Sequence, residues 1–335
     1  MATAVTVLGG GAWGTALAMH LAGLGCDVHL WDASPELLAT LRGRRQHPTA
    51  HPGIPFPANL VVADDLDTAV ERAEAVVVAV PSHAVRPAGV AVRPLLRAQP
   101  LVISVAKGIE EGSSKTMSAV LEEVLGAEHA PRVAVLSGPS FAREVAIGMP
   151  TAVTAAAGTL EVAGAVQQLF NGPTFRVYTS TDVVGVEIGG AVKNVIALAA
   201  GVSDGLGFGH NTRAALITRG LAEISRLGIR LGANPQTLYG LSCLGDLVLT
   251  CTGDLSRNRT VGLRLGRGET LKQILADMRQ VAEGVRNTLS VCQLAHEVGV
   301  EMPISEQMRL VLYEEKHPRQ AVVDLLSRRL KQEVE

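Results

Sequence analysis

The octapeptide Val7-Leu8-Gly9-Gly10-Gly11-Ala12-Trp13-Gly14 limits the fold of this chain more than any other stretch. It places G-x-G-x-x-G directly after an apolar run at 4–8 and at the head of a helical pattern at 14–24. Each glycine answers a separate need. Gly9 makes the tight turn, Gly11 lets a pyrophosphate approach the backbone, and Gly14 lets helix and sheet pack closely. The helix start adds unpaired N–H groups and the positive end of a dipole. Asp32 ends the second apolar run 23 residues after Gly9, where a ribose-binding acid belongs. The pattern predicts a dinucleotide site; a glycine turn shaped for packing alone is the competing reading.

The surrounding chain supports a parallel sheet. Short β-branched runs at 4–8, 28–31, 75–80, 101–105, 133–136, 151–154 and 176–178 read as strands buried on both faces. Helical patterns at 14–24, 35–45, 116–125 and 159–170 lie between them, as in βαβ units. The segment 47–57 holds four prolines and is loop. After Asp182 strand signals stop. Apolar residues then recur at helical spacing through 183–202, 212–227, 234–239, 271–275, 288–298 and 304–313. The expectation is a nucleotide-binding domain at 1–181 and a helical domain at 182–335.

Composition narrows the function classes. With 30 basic and 32 acidic residues the formal charge is −2, so no global field gathers nucleic acid or an anionic membrane. Aromatic residues are 3%, too few for base-stacking platforms. The 47% hydrophobic content supports large cores and excludes disorder. Four scattered cysteines form no C-x-x-C pair, which points to a reducing cytoplasm. The uncharged stretch 1–26 lacks a basic start and a cleavage-type site and reads as buried strand plus helix. The apolar stretch 183–202 carries Glu187, Lys193 and Asn194, which argues against a lipid span.

Candidate ligand-binding residues cluster where an open α/β sheet places them, beyond the strand ends. They include Val80-Pro81-Ser82-His83, Ala106-Lys107-Gly108 and Ser137-Gly138-Pro139-Ser140. Lys107 reads either as a ligand contact or as a solvated strand end. Ser140 reads as a contact or as the N-cap of the segment 141–147. His83 reads as a surface residue. Lys193 either snorkels to solvent or, if held inside a cleft, has its pKa lowered toward proton transfer. Asp246 and Thr250 follow, and then Ser256-Arg257-Asn258-Arg259, a natural grip on phosphate or simply a basic helix start. His47 and His51 lie in the proline-rich loop, and no metal site is expected.

Taken in order, these segments resemble the bacterial-type NAD(P)-dependent glycerol-3-phosphate dehydrogenase family. The likeness runs almost end to end, through Gly9-Gly10-Gly11-Ala12-Trp13-Gly14-Thr15-Ala16, Val80-Pro81-Ser82, Ala106-Lys107-Gly108 and Ser137-Gly138-Pro139-Ser140-Phe141-Ala142. It continues through Val192-Lys193-Asn194, Thr218-Arg219-Gly220, Thr250-Cys251-Thr252-Gly253, Ser256-Arg257-Asn258-Arg259 and Val281-Ala282-Glu283-Gly284. The resemblance implies a Rossmann-like, mostly parallel sheet domain followed by an all-helical domain, an arrangement of the 6-phosphogluconate-dehydrogenase-like kind. It implies NAD(H) or NADP(H) as cofactor, a small phosphorylated three-carbon substrate, and reduction of dihydroxyacetone phosphate to sn-glycerol 3-phosphate for phospholipid synthesis. It allows a homodimer.

The roles it implies are specific. Lys193 would be the proton acceptor, with Asp246 close by and Asn194 and Thr250 in support. Ser256, Arg257 and Asn258 would hold the substrate phosphate, and Gly138 and Ser140 the rest of the substrate. Lys107 would touch both substrate and cofactor. The cofactor would meet Gly9, Gly11, Ala12, Trp13, Gly14, Ala142 and Arg257, with Val281 and Glu283 at a far edge. The chain departs from the family at Asp32-Ala33, where relatives often carry a basic residue. That departure predicts that NADH is preferred or used comparably, unless Arg42, Arg44 or Arg45 folds back to hold a 2′-phosphate. A ketopantoate-type or other 2-keto acid reductase is the nearest alternative, and a non-catalytic dinucleotide sensor a more distant one.

Overall fold

The computed structural model describes residues 2–97, 99–278, 282–330 and 332–333. Its strands are β1 (Ala4–Leu8), β2 (Asp27–Trp31), β3 (Leu60–Val62), β4 (Ala75–Val78), β5 (Leu101–Ser104), β6 (Val133–Ser137), β7 (Thr151–Ala157) and β8 (Phe175–Ser180). They form one sheet in the order β3-β2-β1-β4-β5-β6-β7-β8. β1 to β6 run parallel, and Leu8 pairs with both Trp31 and Val78. The order reverses between β1 and β4, which opens a crevice beyond their carboxyl ends.

Seven helices cover this sheet among the described residues: α1 (Ala12–Gly23), α2 (Pro35–Arg44), α3 (Leu66–Val70), α4 (Val85–Val92), α5 (Met117–Leu125), α6 (Ala142–Ala146) and α7 (Leu160–Phe170). Successive strand residues face opposite layers: Val77 and Ile103 pack with Leu17 and Leu21, whereas Val76, Val78 and Val102 pack with Val120 and Leu121.

Two features of the sheet were not specified by the sequence. β3 was not anticipated, because it is three residues long, follows the proline-rich loop and exposes its central Val61. β7 runs antiparallel to β6, the one such pair among the described strands of a mostly parallel sheet. The connection between them contains only the five-residue α6, about 7.5 Å long and too short to carry the chain back along the sheet, so β7 returns from the end at which β6 finished. α7 then supplies a full crossover, and β8 lies parallel to β7.

The remaining chain is helical: α8 (Val183–Gly205), α9 (His210–Arg230), α10 (Pro235–Leu238), a π-helical turn (Leu241–Gly245), α11 (Asp246–Thr252), α12 (Arg257–Gly266), α13 (Leu271–Asp277), α14 (Glu283–Glu297), α15 (Pro303–Tyr313) and α16 (Pro318–Leu326). Asp182 caps α8, its Oδ1 accepting the Gly185 N–H. Among the described residues α8 is the one helix long and apolar enough to cross a membrane, and it is instead the centre of this domain, buried without a break from Gly185 to Ser203.

Such burial demands close neighbours, and α12 comes closest. A Cβ built on Gly262 would lie 2.0 Å from the Leu198 carbonyl oxygen, and one on Gly201 2.1 Å from that of Arg259. Gly205 and Gly266 repeat the contact one turn further on. The two backbones therefore touch along a seam that admits no side chain. Gly262→Ala is expected to force the helices apart and to cost at least about 1–3 kcal/mol, measured as a lowered denaturation midpoint. Gly164→Ala, in α7 with open space around the position, is expected to be neutral or to stabilise by up to about 1 kcal/mol. Equal midpoints for the two variants would refute the seam.

Candidate active site

The glycine turn sits at the crevice. Gly9 has φ +114°, a left-handed conformation that an L side chain resists, and its N–H donates to Trp31 O at 2.7 Å. A Cβ on Gly14 would lie 1.9 Å from Gly9 O, so α1 can press against the turn only because that residue is glycine. Gly11 differs: it is the N-cap of α1, and no atom lies within 4 Å of where its Cβ would stand. Open space at a helix N-terminus, over a backbone without side chain, fits the pyrophosphate of a dinucleotide. Ala12 and Trp13 form the first turn of α1, half-buried beside that space.

Asp32 follows β2. Its Oδ2 accepts the Gly10 N–H at 2.7 Å and its Oδ1 accepts the Ser34 N–H at 2.8 Å. Ala33 is exposed. His51, left in the loop by sequence reasoning, is buried, and its Nε2 donates to Ala12 O at 2.7 Å. The proline-rich loop is thus pinned to the first turn of α1, a contact that no local pattern announces.

Further along the crevice the two domains meet through charge. Lys107, just past β5, donates from Nζ to Gly138 O at 3.1 Å and to Asp246 Oδ2 at 2.6 Å. Lys193, from the middle of α8, donates to Asp246 Oδ1 at 2.8 Å and to Thr250 Oγ1 at 2.7 Å. The Thr250 hydroxyl donates in turn to the Asp246 backbone carbonyl at 2.6 Å. Asp246 is 1% exposed and Lys193 5%, so the carboxylate bridges two ammonium groups almost out of solvent. Lys193 does not snorkel.

The electrostatics follow from that geometry. Burial pushes the Lys193 ammonium down to about 8, with Asp246 opposing the shift and Lys107 adding to it. Burial works to raise the Asp246 carboxyl, but the two lysines outweigh it and hold it below its ordinary range. Cys243 and Cys251, close to Asp246, are pushed up to about 12 by burial and remain thiols.

Around this centre the helical domain supplies a polar relay. Asn258 Nδ2 donates to Asn194 Oδ1 at 2.9 Å, and Asn258 Oδ1 accepts the Gly284 N–H at 2.9 Å. The Asn258 side chain therefore ties α8, α12 and α14 together, whereas its backbone N–H lies in the first turn of α12, where no intrahelical acceptor exists. Ser256 caps that helix, its Oγ accepting the Arg259 N–H at 3.2 Å. Arg259 is bound by Asp204 and Asp254. Arg257 lies exposed at the start of α12, within the electrostatic reach of Glu283.

Several details were invisible in the sequence. Ser140 is not a helix cap: Phe141 caps α6, and the Ser140 hydroxyl donates to Gly138 O at 3.0 Å. Gly138 adopts φ +155° close against Val153, and Ala142 opens α6 half-buried. Glu283 turns toward the nucleotide domain, where its carboxylate accepts the Ser82 hydroxyl at 2.7 Å. Asn287, one turn along α14, donates to Lys107 O at 3.0 Å. His83 is exposed. Val281 lies outside the described residues. Among the described residues no group of three or more His, Cys, Asp or Glu is placed to hold a metal ion.

The profile of the family described as "NAD-dependent glycerol-3-phosphate dehydrogenase N-terminus" matches residues 4–163, and that of its C-terminus matches residues 182–323. The chain belongs to this family. It is 53% identical over 333 residues to a protein of Geobacter sp. (strain M21) named glycerol-3-phosphate dehydrogenase [NAD(P)+], with 99% of each chain covered. A solved glycerol-3-phosphate dehydrogenase from Coxiella burnetii superposes with a TM-score of 0.92 at 40% identity, covering 97% of this chain and 98% of that one. A ketopantoate reductase from Ralstonia eutropha JMP134 shares the fold alone, at a TM-score of 0.60 and 16% identity over 95% of this chain and 99% of that one.

Proposed function

We infer that this chain is an NAD(P)-dependent dehydrogenase that reduces dihydroxyacetone phosphate to sn-glycerol 3-phosphate, reversibly. The observation that carries the reading is Asp246, buried and shared between Lys107 of one domain and Lys193 of the other. Two clustered cations suit a phosphorylated ketone better than a neutral substrate. Free cysteines at all four positions suit a reducing cytoplasm.

In this reading the bound nicotinamide supplies the hydride. Charge then grows on the substrate carbonyl oxygen, and the Lys193 Nζ stabilises it and delivers the proton that completes the alcohol. Asp246 stays ionised and Thr250 accepts from Nζ, so the ammonium is oriented before the substrate arrives. Solvent returns the proton to Lys193 afterwards. Arg257 and the first-turn amide of Asn258 grip the phosphate, and Lys107, with Gly138 and Ser140, holds the remainder. Glu283 and Asn287 draw α14 onto the loops that carry Ser82 and Lys107, closing the cofactor side of the cleft. The second reading, a keto acid reductase, has no comparable use for a cationic helix start.

Oxidation of NADH or NADPH with dihydroxyacetone phosphate, followed at 340 nm, tests the activity. Dihydroxyacetone should lower kcat/KM by roughly a hundredfold or more, the loss expected when charge-assisted phosphate bonds disappear. Equal efficiency with both ketones would remove the phosphate clamp.

The Lys193 ammonium also sets a pH dependence. Its burial lowers the pKa to about 8, so the proton needed for reduction is present below that pH and lost above it. Reductive kcat/KM should fall above about pH 8, while oxidation of glycerol 3-phosphate should rise over the same range. Lys193→Met should abolish both limbs and lower kcat by about 10²–10⁴ with cofactor binding intact. A variant keeping most of the rate would assign the proton elsewhere.

A further inference from the structure

We propose that this enzyme selects NADH over NADPH, and that Asp32 is the residue that makes the choice. The inference rests on the dinucleotide reading of the glycine turn and goes beyond it, because the relatives' name, NAD(P)+, leaves the two cofactors equal.

The position of the carboxylate is fixed by backbone. Gly10 donates to one oxygen at 2.7 Å and Ser34 to the other at 2.8 Å. Asp32 therefore cannot swing away from the end of β2, where the adenosine ribose of a bound dinucleotide lies. A carboxylate has about four acceptor sites and these bonds use two, so it still accepts from a ribose 2′-hydroxyl. A 2′-phosphate offers no proton and brings like charge to the same place.

A nearby cation would offset that repulsion, and the structure withdraws the arginines at the end of α2 from that part. Ala33 and Ser34, next in the chain, carry none. The Arg42 guanidinium donates to Ala63 O at 3.1 Å and pairs with Asp64 at 2.7 Å. Arg45 donates to Leu60 O at 3.0 Å and Pro57 O at 2.7 Å. Arg44 stands at the far end of α2, roughly 13 Å along the axis from its first turn. His47 shares the field of Asp32, but burial and the neighbouring His51 lower its pKa, which keeps the imidazole neutral.

The start of α2 offers a phosphate little in return. Its Ser34 N–H serves Asp32, its Leu37 N–H serves the Ser34 hydroxyl, and Pro35 has none. Glu36 adds a second negative charge in the first turn. The arrangement that would favour an anion at this helix start is already used by the protein's own side chains.

Direct titration separates this proposal from the activity. Binding of NADH and of NADPH to the purified protein, read by the fluorescence of the reduced nicotinamide, should give NADH a Kd lower by at least about tenfold, the scale of one unscreened like-charge contact near a protein surface. Ala33→Arg, at an exposed position outside the turn, should narrow the ratio by improving NADPH binding alone. Asp32→Ala should narrow it too, but it also removes two backbone bonds and bears less weight. A wild-type ratio below tenfold, or an Ala33→Arg protein with an unchanged ratio, overturns the selectivity. Failure of both cofactors to bind would instead overturn the dinucleotide reading beneath it.

Discussion

A single buried carboxylate holds the two halves of this molecule in a working relation. Asp246 takes one ammonium from the nucleotide domain and one from the core helix of the helical domain, at 2.6 and 2.8 Å. The buried Lys193 would not stay out of water without it, because an unpaired buried charge is strongly destabilising. The same carboxylate would be pushed toward its neutral form without them. The two lysines keep the carboxylate ionised and it opposes the loss of the Lys193 proton, and the trio exists only where the two domains meet.

Everything around that contact serves its geometry. Lys193 needs a helix that does not shift, and α8 is gripped by α12 through backbone-to-backbone contact at Gly201 and Gly262. The Asn194–Asn258 bond ties the residue after Lys193 to the residue after Arg257, so it joins the stretches of α8 and α12 that carry these two cations. On the other side of the cleft, Glu187 of α8 accepts the Ser118 N–H at 2.9 Å, which holds that helix to α5 of the nucleotide domain. Such buried polar contacts add little net stability but restrict the arrangements available to the two domains.

Much of this was legible in the residues themselves. Gly9 and Gly14 announce their turn because no other residue type fits the conformation of the one or the contact of the other, and a motif that rests on steric exclusion survives translation into structure. Lys193 and Asn194 were visible as polar residues in an otherwise apolar helix. Asp246 was expected beside Lys193, but its second bond to Lys107, 139 residues away, follows from the closure of the cleft and leaves no local trace. Ser140 satisfied the composition of a helix cap, yet α6 starts a residue later than that cap requires and the hydroxyl turns back on Gly138. β3 escaped notice because three residues are too few to show a period, and α4 because Pro87 and Gly89 interrupt its pattern. The sequence resolves what depends on one segment; contacts between segments had to be seen.

The central claim is that Lys193 and Asp246 act as one unit, and a double-mutant cycle on kcat measures that directly. Lys193→Met, Asp246→Asn and the double variant should be compared in the reductive direction at one pH, with cofactor binding checked for each. If the two form a unit, each single change removes most of the benefit and the double variant is about as slow as the slower single one. Losses that multiply, so that the double variant is slower by the product of the two single effects, would show two independent residues and contradict the account.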